Sequence, residues 1–425
     1  AELVVDDKTY SLDVIEGTEG ELAIDICQLR NTSGIITLDP GYANTGSTIS
    51  SISYIDGEQG ILRHRGIPIE ELAQKSTFVE VAYLILFGKL PNKYELCNFS
   101  MMLAEHAALH SELEHHFSGF PHDAPPMAIL SAMLNAVSCY HKEFLDIGLD
   151  GDNFMEATAR IMSKVRTIAA YTYRMSRGKP FNRPHPKLPY CHNFLHMMFS
   201  EPFDQYECVP EVEDALNLFF ILHADHEQNC STSTVRMVGS ARANLFSSVA
   251  AGVCALWGPL HGGANKAVIE MLESIHDRGK TAAEYLEMAK DKKYNVRLMG
   301  FGHRVYKNFD PRAKILKNAV DKVLKVLNVD DHLLNIALEL EEKALSDDYF
   351  VERKLYPNVD FYSGILLRTI GIPVDMFTVL FAIGRAPGWM ANWKEMLDHK
   401  HRINRPRQIY NGLTKRDYVP MEERE

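Results

Sequence analysis

One segment of the chain is more informative than any other, and it reads Met299-Gly300-Phe301-Gly302-His303-Arg304-Val305-Tyr306-Lys307-Asn308-Phe309-Asp310-Pro311-Arg312. Two glycines flank an aromatic residue, which leaves the backbone open to close approach by a ligand, and a histidine and several cations follow directly. The segment therefore indicates a loop that binds an anionic molecule. The simpler interpretation is that the glycines only shape a turn beside a solvated basic face, because the pattern is neither a dinucleotide fingerprint nor a P-loop. Other parts of the chain have to decide between the two.

The composition is that of an ordinary globular protein. Of 425 residues, 46% are hydrophobic and 24% are charged, so the chain can bury a large core and should divide into two or more domains. No window approaches the roughly 18 uninterrupted apolar residues that a membrane helix needs. The start of the chain is acidic (Glu2, Asp6, Asp7), unlike a secretory leader. We therefore expect no membrane association and a cytoplasmic location.

Cysteine usage and charge narrow the possible partners. The seven cysteines are scattered, with no Cys-x-x-Cys pair, and so indicate neither a disulfide framework nor a thiolate zinc site. Free thiols suit a reducing compartment. The net charge of −11 argues against general binding of nucleic acid or acidic membranes. An anionic ligand would then need local clusters of cations.

The pattern along the chain changes near residue 60. Residues 51–55 alternate between apolar and polar, and residues 56–60 have turn chemistry, so the first 60 residues are predicted to form a small β-rich module. Beyond this point apolar residues recur at three- and four-residue spacing, which predicts a mainly α body. The segments with this spacing are 78–87, 157–173, 212–223, 246–256, 313–327 and 333–345.

A second motif, Trp257-Gly258-Pro259-Leu260-His261-Gly262-Gly263-Ala264-Asn265, places His261 among small residues where a helix can begin. The positive end of a helix dipole disfavours a second proton on the imidazole. We therefore expect a neutral ring that can donate a hydrogen bond to a carbonyl. A lone histidine is more often structural, but glycines and a proline on both sides of this one favour a functional role.

A third segment, His223-Ala224-Asp225-His226-Glu227-Gln228-Asn229-Cys230-Ser231-Thr232-Ser233-Thr234, closes an apolar helix with a dense polar cluster. His223 and His226 are three residues apart, which places them on one helical face with Asp225 and Glu227 nearby, so metal ligation is one interpretation. The cluster lacks a recognised zinc spacing and a marked third ligand. We favour a hydrogen-bonding substrate site over a metal site.

Asp360 lies between Val359 and Phe361, ahead of an apolar helix. Desolvation at such a position would raise its pKa toward that of a useful general base. Aspartate is also a preferred helix N-cap, and the segment on its own favours the cap. Both roles stay open at this point.

Several arginines are placed where they could hold carboxylates. Arg385 directly follows the apolar run 376–383, and a guanidinium there needs an anion or a carboxylate partner. Arg312 and the pair in Arg405-Pro406-Arg407 add further guanidiniums suited to bidentate contacts.

Four motifs, taken in this order, resemble those of the citrate synthase family. They are Gly-Pro-x-His-Gly-Gly-Ala-Asn (258–265), Met-Gly-Phe-Gly-His-Arg-Val-Tyr-Lys (299–307), Pro-Asn-Val-Asp-Phe-Tyr-Ser-Gly (357–364) and Arg-Pro-Arg-Gln (405–408). The likeness covers essentially the whole chain, and the strand-rich start is typical of the long, hexameric type of Gram-negative bacteria. It implies a mainly α, two-domain citrate synthase-like fold with a small N-terminal β module.

The resemblance also implies domain boundaries. The β-rich module would cover residues 1–60, the large helical domain residues 61–263 and 374–425, and the small helical domain on the CoA side residues 264–373. The active site would lie in the cleft, and the glycines near both edges of the small domain suit a hinge.

The implied activity is that of an acyltransferase. It condenses acetyl-CoA with oxaloacetate and hydrolyses citryl-CoA to citrate and CoA, the entry step of the tricarboxylic acid cycle. Asp360 matches the base that removes a methyl proton, His261 the donor to the thioester carbonyl, and His303 the group that polarises the ketone. Matches to the oxaloacetate and citrate ligands, or to groups that line the pocket and orient His261, are His226, Asn229, Ser231, Arg312, Arg385 and Arg405.

Partners follow from the same resemblance. Arg405 would come from the neighbouring subunit, so the minimal active unit would be a dimer, with a hexamer as a trimer of dimers. CoA contacts are implied for Leu298, Met299, Gly300, Phe301, Gly302, Arg304 and Lys307. Neither a metal nor a cofactor is expected, and acetyl-CoA counts as a substrate. No nucleic-acid partner is expected either.

The chain departs from the allosteric, NADH-inhibited members of the hexameric type. Where they carry Arg-His-Thr it has Glu105-His106-Ala107, and where some carry a reactive cysteine it has Phe203. His106, Arg160 and Lys164 remain for a phosphate, but the glutamate would repel it. We predict weak or absent inhibition by NADH.

Three alternatives to this function have distinct consequences. The nearest is 2-methylcitrate synthase, which uses propionyl-CoA with the same three catalytic residues, and an extra methylene is worth only about 1–3 kcal/mol of discrimination. The length of the chain and the β module favour citrate synthase, and a comparison of kcat/KM for the two thioesters distinguishes the two enzymes.

The other two alternatives belong to different classes of protein. A metallohydrolase would give His261, His303 and Asp360 no role. A non-catalytic scaffold would leave Arg385 without an anion.

Overall fold

In a computed structural model the chain is mainly α-helical, as predicted, and the structure describes residues 1–145, 148–204, 206–329 and 331–424. The strands are β1 (Glu2–Val5), β2 (Lys8–Ser11), β3 (Val14–Glu16), β4 (Leu22–Ile24), β5 (Ser53–Asp56), β6 (Ile61–His64) and β7 (Ile67–Pro68). The helices up to residue 199 are α1 (Leu29–Ser33), α2 (Ile69–Lys75), α3 (Phe78–Phe87), α4 (Lys93–Glu105), α5 (Ser111–His116), α6 (Pro126–Ser138), α7 (Gly151–Ser176) and α8 (Tyr190–Phe199). Those that follow are α9 (Pro210–His223), α10 (Cys230–Ser240), α11 (Leu245–Leu256), α12 (Ala264–Asp277), α13 (Ala282–Lys290), α14 (Pro311–Leu327), α15 (His332–Leu345), α16 (Asp348–Glu352), α17 (Val359–Thr369) and α18 (Phe377–Asp398).

The described chain divides into two compact units. One comprises residues 1–49 and 403–425, and the other residues 50–402. The first unit contains two antiparallel hairpins, in which β1 pairs with β2 and β3 pairs with β4. The boundaries predicted at residues 60, 263 and 373 stay predictions.

The β5-β6-β7 sheet belongs to the second unit. It is antiparallel throughout, with Ser53 opposite His64, and it continues to Pro68. The strand-like pattern near residue 60 thus marks a real sheet. Lys307 N–H donates a 2.8 Å hydrogen bond to the carbonyl oxygen of Gly57 in the β5-β6 turn, so this hairpin supports the loop quoted at the start.

Every segment to which the apolar spacing assigned a helix is helical. Segment 78–87 coincides with α3, because Thr77 forms a capping box with Glu80 at its start and Gly88 ends it in the left-handed conformation. The other segments fall within α7, α9, α11, α14 and α15. No helix in the described ranges is long and apolar enough to cross a membrane.

Helix α18 runs through the middle of the second unit, with nearly all of its side chains buried. The apolar run that the sequence shows at 376–383 is only its beginning, since the helix continues through Pro387. A Cβ at Gly388 would lie 2.4 Å from the carbonyl oxygen of Ala224 and 2.5 Å from Oδ1 of Asp225. Glycine at this position therefore lets the chain that leaves α9 pass directly against α18.

Candidate active site

His303 is oriented by the backbone of its own loop. The N–H groups of Val305 and Tyr306 donate to its Nδ1 at 3.1 and 3.2 Å. A backbone N–H can only donate, so Nδ1 carries no proton and the neutral ring carries its proton on Nε2. Burial, helped by the positive charge of Arg312, lowers the pKa of His303 to about 4. At neutral pH the residue therefore offers one Nε2–H donor.

His226 lies beside His303, with 5.6 Å between the ring centroids. Its Nε2 is 3.2 Å from the hydroxyl of Tyr306, a buried residue of the His303 loop to which the sequence assigned no role. Burial, followed by the charge of Arg312, holds the pKa of His226 well below its usual value. His226 is thus a second neutral histidine in the same cluster.

The donors in the segment 223–227 do not converge as a metal site requires. Helix α9 ends at His223, so the expectation that His223 and His226 share one helical face is wrong. Asp225 accepts a 2.6 Å hydrogen bond from a serine of β5, and Glu227 accepts one of 3.1 Å from the β5 backbone. The two carboxylates that a metal site would require therefore accept hydrogen bonds from β5 instead.

Arg312 is held by Asp310, which the sequence analysis did not identify as a site residue. Its Nε and Nη2 donate to the two carboxylate oxygens at 3.0 and 2.9 Å, a bidentate pair, and both side chains are buried. Burial opposes the charge on Arg312, but Asp310 raises its pKa, so the guanidinium stays protonated. Asp310 is the N-cap of α14 with Pro311 at the first helical position, a sequence signal that could have found it.

Arg385 is 1% exposed, and its Nε donates to the carbonyl oxygen of His223 at 2.6 Å. Burial lowers its pKa to about 10, with the charge of Asp225 opposing that shift, so it remains cationic at pH 7. No carboxylate in the described ranges forms a hydrogen bond with this guanidinium. Arg385 therefore keeps its capacity to bind an anionic ligand.

Asp360 lies in the first turn of α17 and is not the cap of that helix. The cap is Asn358, whose Oδ1 accepts from the N–H groups of Asp360 and Phe361 at 2.9 and 3.3 Å. Burial raises the pKa of Asp360 to about 6, although the charges of Arg312 and Arg385 lower it. Its side chain keeps some exposure. A carboxylate with this pKa that a ligand can reach suits a general base.

The loop of His303 is tied to the start of α17. Gly302 N–H donates to the carbonyl oxygen of Tyr356, and Asn358 N–H donates to that of Gly300, both at 2.8 Å. The Asn358 amide also donates to the carbonyl oxygen of Gly302 at 2.7 Å. Gly300 and Gly302 have φ of 78° and 74°, which favours glycine. These glycines therefore fix His303 against the helix of Asp360, a role that the sequence did not reveal.

The residues implied in CoA contacts differ in their exposure. Arg304 and Lys307 are exposed. Leu298, Met299 and Phe301 are partly buried and pack against the core. The two cations are thus accessible to phosphate, while the apolar residues anchor the loop.

His261 lies in the turn before α12, which begins at Ala264, so a helix does begin close to this histidine. Ser231 N–H donates to its Nε2 at 3.2 Å, so its proton is on Nδ1. Burial, followed by the charge of Arg385, lowers the pKa of His261 to about 4. The ring is neutral, as predicted, but the cause is burial beside Arg385 and not the helix dipole.

Ser231 is fixed on three sides. Its hydroxyl lies 2.8 Å from both His261 Nε2 and Oδ1 of Asn229, and it accepts from the Trp389 indole at 3.0 Å. Asn229 is itself the N-cap of α10, where it accepts from Thr232 N–H. The pair Asn229 and Ser231 is thus built to orient His261. Trp389 was not found from the sequence.

Helix α18 contacts the segment 223–234 at three successive turns. It does so through Arg385 to His223, Trp389 to Ser231, and Asn392 Nδ2 to Asp225 Oδ1 at 3.3 Å. Arg405 is exposed and belongs to the first compact unit.

Two buried guanidiniums link the residues of the separate motifs. Arg312 affects the pKa values of His303, His226 and Asp360, and Arg385 affects those of His226, His261 and Asp360. Cations can hold a dicarboxylate, neutral histidines can donate to carbonyl oxygens, and the carboxylate can remove a proton. The arrangement therefore suits deprotonation beside one carbonyl and attack on another.

Comparison with known proteins agrees with this chemistry. The family model described as "Citrate synthase, C-terminal domain" matches residues 41–407. The chain is 54% identical over 414 residues to Citrate synthase 1 of Mycobacterium tuberculosis, covering 97% of this chain and 96% of that protein. It is 51% identical over 417 residues to the citrate synthase of Corynebacterium glutamicum, covering 98% and 95%.

Solved structures show the same likeness. The citrate synthase of Pyrobaculum aerophilum superposes with a TM-score of 0.83 at 38% identity, covering 97% of this chain and 98% of that one. The enzyme of Thermoplasma acidophilum, solved as a ternary complex with carboxymethyl coenzyme A and oxaloacetate, gives 0.82 at 31% identity, covering 91% and 100%. These relatives come from actinobacteria and archaea, and the Gram-negative hexameric type stays a prediction.

Proposed function

The chain belongs to the citrate synthase family, and from that premise we propose how its residues divide the reaction. The activity is that of a transferase that condenses acetyl-CoA with oxaloacetate and hydrolyses citryl-CoA to citrate and CoA. It is the entry step of the tricarboxylic acid cycle. Asp360, His261 and His303 carry the chemistry.

Asp360 is the base that removes a proton from the methyl group of acetyl-CoA. A carboxylate of ordinary pKa is too weak to deprotonate this carbon acid unaided, and burial raises the pKa of Asp360 to about 6. The residue is still ionised at pH 7. Removal of the proton must coincide with stabilisation of the charge that develops on the thioester oxygen.

His261 provides that stabilisation through Nδ1–H. Ser231 N–H occupies the other ring nitrogen at 3.2 Å, so the proton is directed to the ligand side without any change of charge on the ring. The pKa of about 4 describes the loss of one of the two protons of the imidazolium ion. The neutral ring therefore keeps its one remaining proton while the enol forms. The enol is thereby formed next to the second substrate.

His303 polarises the ketone of oxaloacetate through Nε2–H, and the enol carbon then attacks the carbonyl carbon. The two backbone donors on Nδ1 keep this tautomer in place. His226, Arg312 and Arg385 hold the carboxylates and the ketone, and Arg405 of a neighbouring subunit completes the pocket. A dimer is then the minimal active unit, assembled further as a trimer of dimers.

The loop 298–302, with Arg304 and Lys307, holds CoA. Exposure of both cations supports phosphate contacts. We also propose a cytoplasmic location, which seven free thiols suit. No metal or redox cofactor takes part in this scheme.

One observation supports the scheme above all: the raised pKa of Asp360, on a helix tied to the loop of a neutral His303. The test is release of CoA from acetyl-CoA by the purified chain, with and without oxaloacetate. We expect release only when oxaloacetate is present. Equal release without it would identify a thioesterase and would contradict the scheme.

A further inference from the structure

Apart from the active site, one side-chain cluster has the composition of a metal centre. Among the residues that the structure describes, His192, Cys208 and Glu213 are the group whose ligand atoms all lie within 4.8 Å of one another. We infer that these three residues form a binding site for a divalent transition-metal ion of the zinc class. Sequence spacing did not reveal the site, because its ligands come from two helices and the segment between them.

The fold places the three ligands with little freedom. His192 lies in the first turn of α8, Glu213 lies in the first turn of α9, and Cys208 precedes α9 by two residues. Nδ1 of His192 is already 3.3 Å from Oε2 of Glu213. The lengths of zinc bonds, about 2.0 Å to nitrogen and 2.3 Å to sulfur, place tetrahedral ligand atoms about 3.3–3.8 Å apart. The ligand atoms lie within 4.8 Å of one another, and rotation of the side chains can bring them to these distances.

The chemistry of the set selects the ion. One imidazole, one thiol and one carboxylate form a borderline-soft set that suits Zn²⁺ or Co²⁺ rather than Mg²⁺ or Ca²⁺. All three side chains are partly exposed, so an ion can enter and a water can take the fourth position.

The state of the thiol also fits an ion ligand. The Sγ of Cys208 has a weak contact of 3.7 Å with the carbonyl oxygen of Val209 and a hydrogen bond with the backbone of Glu213. A cysteine binds a metal ion as the thiolate, so binding of a divalent cation should release the thiol proton. The simpler interpretation is a His192–Glu213 ion pair in which Cys208 takes no part.

The site is separate from the catalytic residues. Helix α9 has 14 residues, a length of about 21 Å at 1.5 Å per residue, and His226 lies beyond its far end. The ion would therefore join α8 to α9 without touching the substrates. Its binding can be tested independently of citrate formation.

The test is titration of the chelator-treated protein with Co²⁺, followed by the thiolate-to-cobalt charge-transfer absorption, and then competition by Zn²⁺. We expect one ion per chain, with the band lost in Cys208→Ser and affinity reduced at least about tenfold in His192→Gln, as for loss of one ligand. Cys254→Ser, which removes an exposed cysteine elsewhere, is the matched control and should bind as the unaltered chain does.

Two results would overturn the inference. One is a titration of the unaltered chain without a thiolate band. The other is equal affinity in Cys208→Ser and Cys254→Ser, which would leave only the ion pair. The first of these results is measured on the unaltered chain, so it contradicts the proposal even if a variant folds poorly.

Discussion

The side-chain amide of Asn358 donates a 2.7 Å hydrogen bond to the carbonyl oxygen of Gly302. The same side chain caps the helix of Asp360 through its other atom, Oδ1. One residue thus fixes both the helix that carries the base and the loop that carries His303. The relative position of these two catalytic groups depends on it.

Asn358→Ser should separate these two roles. Serine keeps a capping oxygen but cannot reach Gly302, so we expect a stability loss of about 1–2 kcal/mol, which is mainly that of the lost hydrogen bond. We expect a fall in kcat of about tenfold or more, since a catalytic group that is misplaced loses its geometry. Thermal unfolding and steady-state kinetics measure the two effects. Asn358→Ala is the comparison variant that loses both contacts, and an unchanged kcat in both variants would contradict the positioning role.

Asp360→Asn should abolish condensation while leaving oxaloacetate binding largely intact. The amide fills the same space but cannot accept a proton, and loss of a general base costs about 10²–10⁴ in rate. Turnover assays and titration of oxaloacetate by intrinsic fluorescence give the two readouts. Near-normal turnover would assign the base to another residue.

The raised pKa of Asp360 predicts two pH dependences. Condensation requires the ionised base, so kcat/KM for acetyl-CoA should fall as pH drops below about 6. A carboxyl whose folded pKa is raised contributes stability that is full below its unfolded pKa of 3.8 and is lost as pH rises through about 6. Asp360→Asn should therefore be more stable than the unaltered chain at pH 8, by on the order of 3 kcal/mol.

That stability difference should shrink toward zero near pH 4. Chemical denaturation of both forms at the two pH values measures it. A difference that does not change with pH would show that the ionisation of Asp360 is not its cause.

Arg405→Ala should weaken oxaloacetate binding, because we assign Arg405 to the pocket of a neighbouring subunit. Loss of one partner from a desolvated charge pair costs about 2–5 kcal/mol, so KM for oxaloacetate should rise at least about tenfold. Arg407→Ala, an equally exposed arginine two residues away, is the matched control. If Arg405→Ala has the same KM for oxaloacetate as Arg407→Ala and the unaltered chain, the assignment of Arg405 to the neighbouring pocket is wrong.

NADH should inhibit weakly or not at all. Besides Glu105 in place of an arginine, Glu156 occupies the candidate phosphate site. Its carboxylate lies 2.5 Å from Nη2 of Arg160 and 3.7 Å from Nε2 of His106. A phosphate would have to compete with this carboxylate. Initial rates at low salt with increasing NADH give the answer, and inhibition in the micromolar range would refute the prediction.

Sequence patterns predicted the elements that depend on local chemistry. Segment 78–87 matched α3 because its caps and its apolar spacing agree. The continuation of α18 through Pro387 was not visible, because that helix is stabilised by burial on all sides rather than by local propensity. Long-range packing overrides a proline signal in this way.

The site shows the same division. The resemblance united His261, His303 and Asp360 in one hypothesis. Tyr306 and Trp389 were not predicted to be site residues, because the sequence does not show which side chains of the loop 299–312 or of α18 point toward the histidines. Asp310 could have been found from the Asp-Pro helix start. Its bidentate pairing with Arg312 could not, because that depends on side-chain orientation.

Helix α18 finally limits how this enzyme could be redesigned for another oxoacid. Arg385, Trp389 and Asn392 sit on consecutive turns, and each forms a hydrogen bond with a different residue of the segment 223–234, which carries His226, Asn229 and Ser231. Substitutions at contacting positions are not additive, so altering one of them shifts the optimum at the others. A library that varies these positions one at a time would therefore discard combinations that work, and variants should be sampled jointly along the helix.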